Sequence, residues 1–222
     1  TVVSQGGATL TGNIIAATYD KTFLGNDGYF VDDEGNFYLI NGSNFHKKQT
    51  TAADTFAAGT TDIIQFQGAT YCTSNSRVMQ LQGSDLNAAF DPGWWATGID
   101  SSYRHPLERV EDRLYIGDIN EIHMWDGAAS TAAFVTLPTD VNITTLRKHP
   151  DGKTLLAFCG LTANYSHTRG SGGRLYLIDP NTKSWTREIE LEMQVEGSRA
   201  VGGVVYVSYG PNIGYFNGNG IT

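Results

Sequence analysis

One spacing that recurs without gaps constrains this chain more than any single residue does. From Tyr115, an apolar residue follows seven positions on at Ile122, an aromatic one ten on at Trp125, and a glycine twelve on at Gly127. The same steps lead from Tyr71 to Val78, Leu81 and Gly83, from Tyr206 to Ile213, Phe216 and Gly218, and from Phe30 to Phe37, Ile40 and Gly42. Between each anchor and its +7 partner lies a turn-forming stretch, such as Asp32-Asp33-Glu34-Gly35-Asn36 or Asp118-Ile119-Asn120-Glu121. Two β-forming runs joined by residues that tolerate tight turns read as a β-hairpin. The dipeptides Asn41-Gly42, Asp126-Gly127 and Asn217-Gly218 mark a further turn where each second strand ends.

A fifth, stretched copy pairs Leu155-Leu156-Ala157-Phe158 with Arg174-Leu175-Tyr176-Leu177-Ile178 around a polar insert, Gly160 to Gly173. Anchors near 30, 71, 115, 156 and 206 give a period of 41 to 50 residues, which is the length of a four-stranded propeller blade. Flanking strand candidates include Phe23-Leu24, Ile63–Phe66, Leu107–Val110, Phe134–Leu137 and Ser184–Leu191. One such sheet cannot bury both of its faces, and stacking lets each face cover the next. The expected fold is therefore all-β: a single β-propeller domain over 1–222 with about five four-stranded blades. Its hairpins fall near 28–42, 69–83, 113–127, 154–180 and 204–218. A sandwich or barrel of hairpins is the competing architecture. The last copy stops after its hairpin, and an N-terminal strand at Ala8–Leu10 or Ile14–Ala16 would complete it and close the ring. The rival is an open arc. The start at Thr1 rather than Met marks a processed chain or a piece of a longer one.

Composition agrees with short strands and turns: 26 glycines, with 11 Tyr, 10 Phe and 4 Trp to supply a core. A net charge of −8 and no basic run beyond Lys47-Lys48 argue against nucleic acid as a partner. No apolar stretch approaches the length of a membrane span. Cys72 and Cys159 are too few for a disulfide scaffold; two buried free thiols in strands are expected, with a disulfide as the alternative.

The residues that could carry chemistry form no catalytic or metal motif, so no enzyme, metal or cofactor is expected. The five histidines lack zinc-site spacing, and His123, in a strand beside Met124 and Trp125, reads as structural. Asp32-Asp33-Glu34-Gly35-Asn36 has oxygen ligands for Ca²⁺ but no EF-hand pattern, so a solvated turn is expected. Sequons stand at Asn41, Asn142 and Asn164. The candidate contact surface is Trp94 and Trp95, after the loop Asp91-Pro92-Gly93, with Tyr103 and His105 nearby. Exposed aromatics stack on sugar rings or anchor protein interfaces; the competing reading packs both Trp between blades.

The hairpin from Arg113 to Gly127 resembles blade repeats of propeller domains, and Trp125-Asp126 is similar to the WD dipeptide. No Gly-His partner accompanies it, and the pair is missing from the other copies, which argues against WD40 repeats proper. The low-charge, Gly/Asn/Thr-rich texture resembles propeller-type domains in virion proteins of tailed bacteriophages, and more weakly five-bladed lectins. That resemblance implies a non-catalytic virion structural or attachment component in many copies, with protein subunits as partners and a virion or extracellular location. The alternatives are a carbohydrate-binding propeller that takes glycans and a propeller-fold glycoside hydrolase.

Overall fold

A computed structural model describes residues 14–18, 28–32, 37–41, 44–48, 62–74, 77–82, 89–95, 105–161 and 171–222. The described residues contain no helix, and they fold into antiparallel sheets built from consecutive strands. The first sheet comprises β1 (Ile14–Thr18), β2 (Gly28–Asp32), β3 (Phe37–Asn41) and β4 (Asn44–Lys48). The second comprises β5 (Asp62–Phe66), β6 (Ala69–Ser74), β7 (Arg77–Gln82) and β8 (Ala89–Trp95). The third comprises β9 (Leu107–Val110), β10 (Arg113–Asp118), β11 (Glu121–Trp125) and β12 (Ser130–Thr136). The fourth comprises β13 (Val141–Lys148), β14 (Leu155–Leu161), β15 (Ser171–Asp179) and β16 (Ser184–Met193). The fifth has three strands: β17 (Gly197–Val201), β18 (Val204–Tyr209) and β19 (Asn212–Phe216). This is a multi-blade β-propeller fold. The chain divides into two compact units, Thr1–Arg104 and His105–Thr222.

The repeated spacing falls on the second and third strands of each sheet. Tyr71, Tyr115 and Tyr206 each pair with the residue nine positions on, Gln80, Met124 and Tyr215, across a two-residue turn. The first copy departs from this: Phe30 pairs with Tyr38, one step earlier, and the ladder runs on to Val31↔Phe37. Five residues separate the paired Val31 and Phe37, so the pairing is offset by one from that of the other copies. Two connections elsewhere put both central residues at positive φ, Gln67-Gly68 (47° and 77°) and Gly202-Gly203 (58° and 81°). That is the backbone a tight hairpin with native strand twist requires.

Three expectations change. Ile14–Thr18 does not serve the last sheet; it pairs with β2 as the first strand of the first sheet. Ala8–Leu10 and Phe23-Leu24 lie outside the described residues. The insert of the fourth sheet is shorter than expected, because β14 and β15 continue until Gly160 pairs with Gly173. Gly160 leaves room for the Gln194 side chain, whose amide oxygen a Cβ there would meet, and Gly173 leaves room for backbone, since a Cβ there would lie 2.7 Å from the Cys159 carbonyl oxygen. Asp91-Pro92-Gly93 is not a loop but part of β8, where the register shifts between Val78↔Trp95 and Gln80↔Asp91. An irregular outermost strand tolerates a proline that a central one would not.

Within the first unit, β1 and β5 lie against each other. Its described core contains Tyr38, Ile63, Phe66, Tyr71, Cys72 and Val78. In the second unit the fourth sheet is covered on both faces. Leu155, Ala157, Cys159, Tyr176 and Ile178 pack on Val110, Tyr115, Ile122 and Met124 of the third sheet. On the opposite face, Leu156, Phe158 and Leu175 pack on Val205, Val207 and Phe216 of the fifth. Burying a side chain of this size stabilises by about 1.5–3 kcal/mol, so these two layers are the main adhesive between sheets.

The first strands of successive sheets, β9, β13 and β17, adjoin one another. A bulge in β13 aims polar side chains at both neighbours. Ile143 pairs with Cys159 and Thr145 with Phe158, which leaves Thr144 extra; its hydroxyl donates to the Phe158 carbonyl at 3.0 Å. Arg147 then donates from Nε to the Ser198 carbonyl (2.8 Å), while its Nη1 stands 3.9 Å from Glu108 Oε2.

Candidate interaction site

The second unit holds two candidate sites, which differ in access to solvent. The first is a polar group on the face of the third sheet turned away from the fourth. Asp118 closes β10, His123 lies in β11, and His105 precedes β9; they are 4, 3 and 0% exposed. Asp118 Oδ1 lies 3.5 Å from His105 Nδ1, and Oδ2 lies 3.6 Å from His123 Nε2. The Ala133 amide donates to His123 Nδ1 at 3.0 Å, so the neutral ring carries its proton on Nε2, toward the carboxylate. His105 Nδ1 is 3.2 Å from the Gly117 carbonyl, which can only accept, so that nitrogen carries the proton. The group holds the β10–β11 turn against the segment entering β9, and the Gly117 amide donates to the Pro106 carbonyl beside it. Buried this deeply, it presents no surface to a substrate.

The second feature is a groove of about 500 Å³ between β16 and β19. Ile189, Leu191 and Met193 line it from β16, with Tyr209, Asn212 and Ile221 across from them, and Glu190 and Glu192 lie at its margin. Tyr215 and Thr222 exchange two backbone hydrogen bonds of 3.0 Å, and Phe216 bridges Ile221. Gly214 permits this approach; a Cβ there would stand 2.7 Å from the Thr222 carbonyl oxygen and 2.9 Å from Ile221. Hydrogen-bonding direction alternates along a strand. Ile213, two residues before Tyr215 and 79% exposed, therefore turns its N–H and C=O toward the same edge.

The structure places the expected contact residues unevenly. Trp94 and Trp95 end β8, and their side chains, like Tyr103, lie outside the described residues. His105 is not at a surface: it is wholly buried against Gly117 and Asp118. The acidic turn at Asp33-Glu34 is outside the described residues; among those described, no three His, Cys, Asp or Glu side chains are placed to hold a metal ion. Both cysteines are free and buried. The Asn142 sequon is 1% exposed and out of reach of a glycan, and neither amide atom has a hydrogen-bond partner among the described residues. No described helix is long and apolar enough to cross a membrane, which says nothing of β-barrels.

No family model and no curated protein matches the chain. Solved structures do, at the level of fold. An extracellular domain described as that of a one component system from B. thetaiotaomicron superposes with a TM-score of 0.67 at 10% identity. It covers 99% of this chain, which in turn spans only 28% of that one. Streptogramin B lyase gives 0.67 at 12% identity, with 97% and 70% covered. A structure of the nidogen/laminin complex gives 0.64 at 13%, with 92% and 75% covered. These likenesses support the propeller fold and nothing finer, since a propeller hosts binding proteins and enzymes alike.

Proposed function

We propose that this chain is a non-catalytic interaction module within a single propeller domain, a structural or attachment component of a bacteriophage particle built into it in many copies. The observation that carries the interaction reading is the groove between β16 and β19. An apolar floor of Ile189, Leu191 and Met193 suits an extended polypeptide, which lowers alternate side chains into the groove. The Asp118, His105 and His123 group is sealed in the third sheet, which favours a structural tie over an active site at that place. One of the similar folds comes from a protein–protein complex, nidogen with laminin. The virion assignment rests on the low-charge, Gly-rich sequence texture. Mass spectrometry of purified particles from the source tests it: stoichiometric recovery of the chain is expected, and its absence from particles, together with turnover by the free protein, would overturn the reading.

A further inference from the structure

The fourth sheet ends in an outer strand whose two faces differ in chemistry. β16 runs for ten residues, Ser184–Met193, and β15 pairs with one of its edges. Among the described residues no strand lies on the other edge. Its start is irregular: Leu177 pairs with Arg187 but Ile178 with Trp185, and the Thr186 hydroxyl between them donates to the Leu177 carbonyl at 3.2 Å. From Arg187 to Met193 the ladder is regular, and a regular free edge is a template for another strand. Along this stretch Ile189, Leu191 and Met193 are half-buried and form the floor of the groove, while Glu188, Glu190 and Glu192 alternate with them and are exposed. The cations nearby are engaged. Arg174 Nε lies 3.2 Å from Glu188 and its Nη1 3.0 Å from Asp140, and Arg187 Nη1 donates to the Gly218 carbonyl at 3.0 Å. Glu190 and Glu192 have no ion-pair partner among the described residues.

We propose that the free edge of β16 takes up an extended basic segment of another protein, in which Lys or Arg alternates with apolar residues. The proposal rests on the interaction reading above and names the partner for the same groove. Directly opposed residues of paired strands share a face of the sheet. A strand added to β16 therefore lays one set of side chains beside Ile189, Leu191 and Met193, and the other beside Glu190 and Glu192. An apolar first set fills the groove, and a cationic second set meets the two carboxylates that lack a partner. The main chain supplies hydrogen bonds along the edge. The net charge of −8 draws a basic partner toward the chain. A second copy of β16 does not fit this edge. Whichever residue from Glu188 to Glu192 stands at the centre of a twofold antiparallel pairing, glutamate falls opposite glutamate, and like charges so placed destabilise the pair.

The test measures binding of fluorophore-labelled peptides to the full chain by anisotropy. The probes are alternating Lys-Val, Glu-Val and Ser-Val peptides, with a peptide of the Lys-Val composition in which the lysines and valines form separate blocks. The alternating Lys-Val peptide should bind several-fold more tightly than the other three and weaken as salt rises. Glu190→Lys with Glu192→Lys changes two exposed side chains, and circular dichroism checks that the sheets persist. This double variant should reverse the preference in favour of Glu-Val. Equal binding of Lys-Val and Glu-Val overturns the proposal, and so does a double variant that still prefers Lys-Val. Equal binding of the block peptide would show attraction to charge alone and also overturns it. A Lys-Val peptide N-methylated at alternate residues should lose its affinity, and retained affinity would refute pairing with the strand edge. Ser-Val binding as tightly as Lys-Val refutes the basic partner while leaving the groove reading intact, whereas failure of every peptide to bind removes both.

Discussion

Thr145 Oγ1 and Ser198 Oγ meet at 2.7 Å between β13 and β17, the first strands of the fourth and fifth sheets. The contact is part-buried and stands beside the Arg147–Ser198 carbonyl bond, so one short segment of β17 receives two ties from β13. Removing one hydroxyl of such a pair costs about 1 kcal/mol. Ser198→Ala and Thr145→Val should each destabilise by that amount, and the double variant should cost less than their sum. Full additivity in urea unfolding would show that the hydroxyls do not act on each other.

Asp118 should be harder to replace. Its carboxylate lies 3.5 Å from His105 Nδ1 and 3.6 Å from His123 Nε2, and all three side chains are buried. Asp118→Ala removes the carboxylate facing His123 Nε2, while His105 Nδ1 keeps the Gly117 carbonyl, at a cost of about 1–3 kcal/mol. Asp118→Asn keeps one acceptor and should cost less. An alanine variant as stable as the parent would mean that the group is not a structural tie.

The cysteines should be inert in the folded protein. Burial pushes the Cys72 thiol well above its ordinary range, and the nearby Asp62 carboxylate adds to the effect. Burial likewise raises Cys159, and the Arg174 charge offsets this only in part. Because the thiolate is the reactive form, a thiol reagent should label both residues only under denaturing conditions. Rapid labelling of the native chain would place at least one thiol at an accessible surface.

Asp151 gives the β13–β14 turn a pH dependence. Its burial would raise the carboxyl, but the Thr154 hydroxyl, the Thr154 and Lys153 amides and His149 together hold it well below the usual carboxylate range. A depressed folded-state value means that the stabilisation is complete above the unfolded value of about 3.9 and is lost as pH falls through the folded one. Wild type should therefore be more stable than Asp151→Asn at neutral pH, with the gap closing in strong acid. A gap that does not change with pH would show that ionisation of Asp151 contributes nothing.

Much of the propeller could be read from the chain because the hairpin spacing is local: turn length and side-chain alternation set it, and both are visible in sequence. Tyr71, Tyr115 and Tyr206 obey it with identical pairing. Phe30 has the same spacing but a different pairing, since the register depends on how its turn folds. The candidate site was less legible. His105 stands in sequence near two tryptophans and a tyrosine, but its partner Gly117 is twelve residues away, across a strand pairing that residue types do not announce. The groove has no motif at all.

The order of strands within each sheet carries a kinetic consequence. Neighbours in space are neighbours in sequence throughout the described sheets, so most loops that must close during folding are short and each closure loses little chain entropy. Each sheet can assemble as its strands leave the ribosome, and it then offers the next one a template. The slow steps should be the dockings between finished sheets.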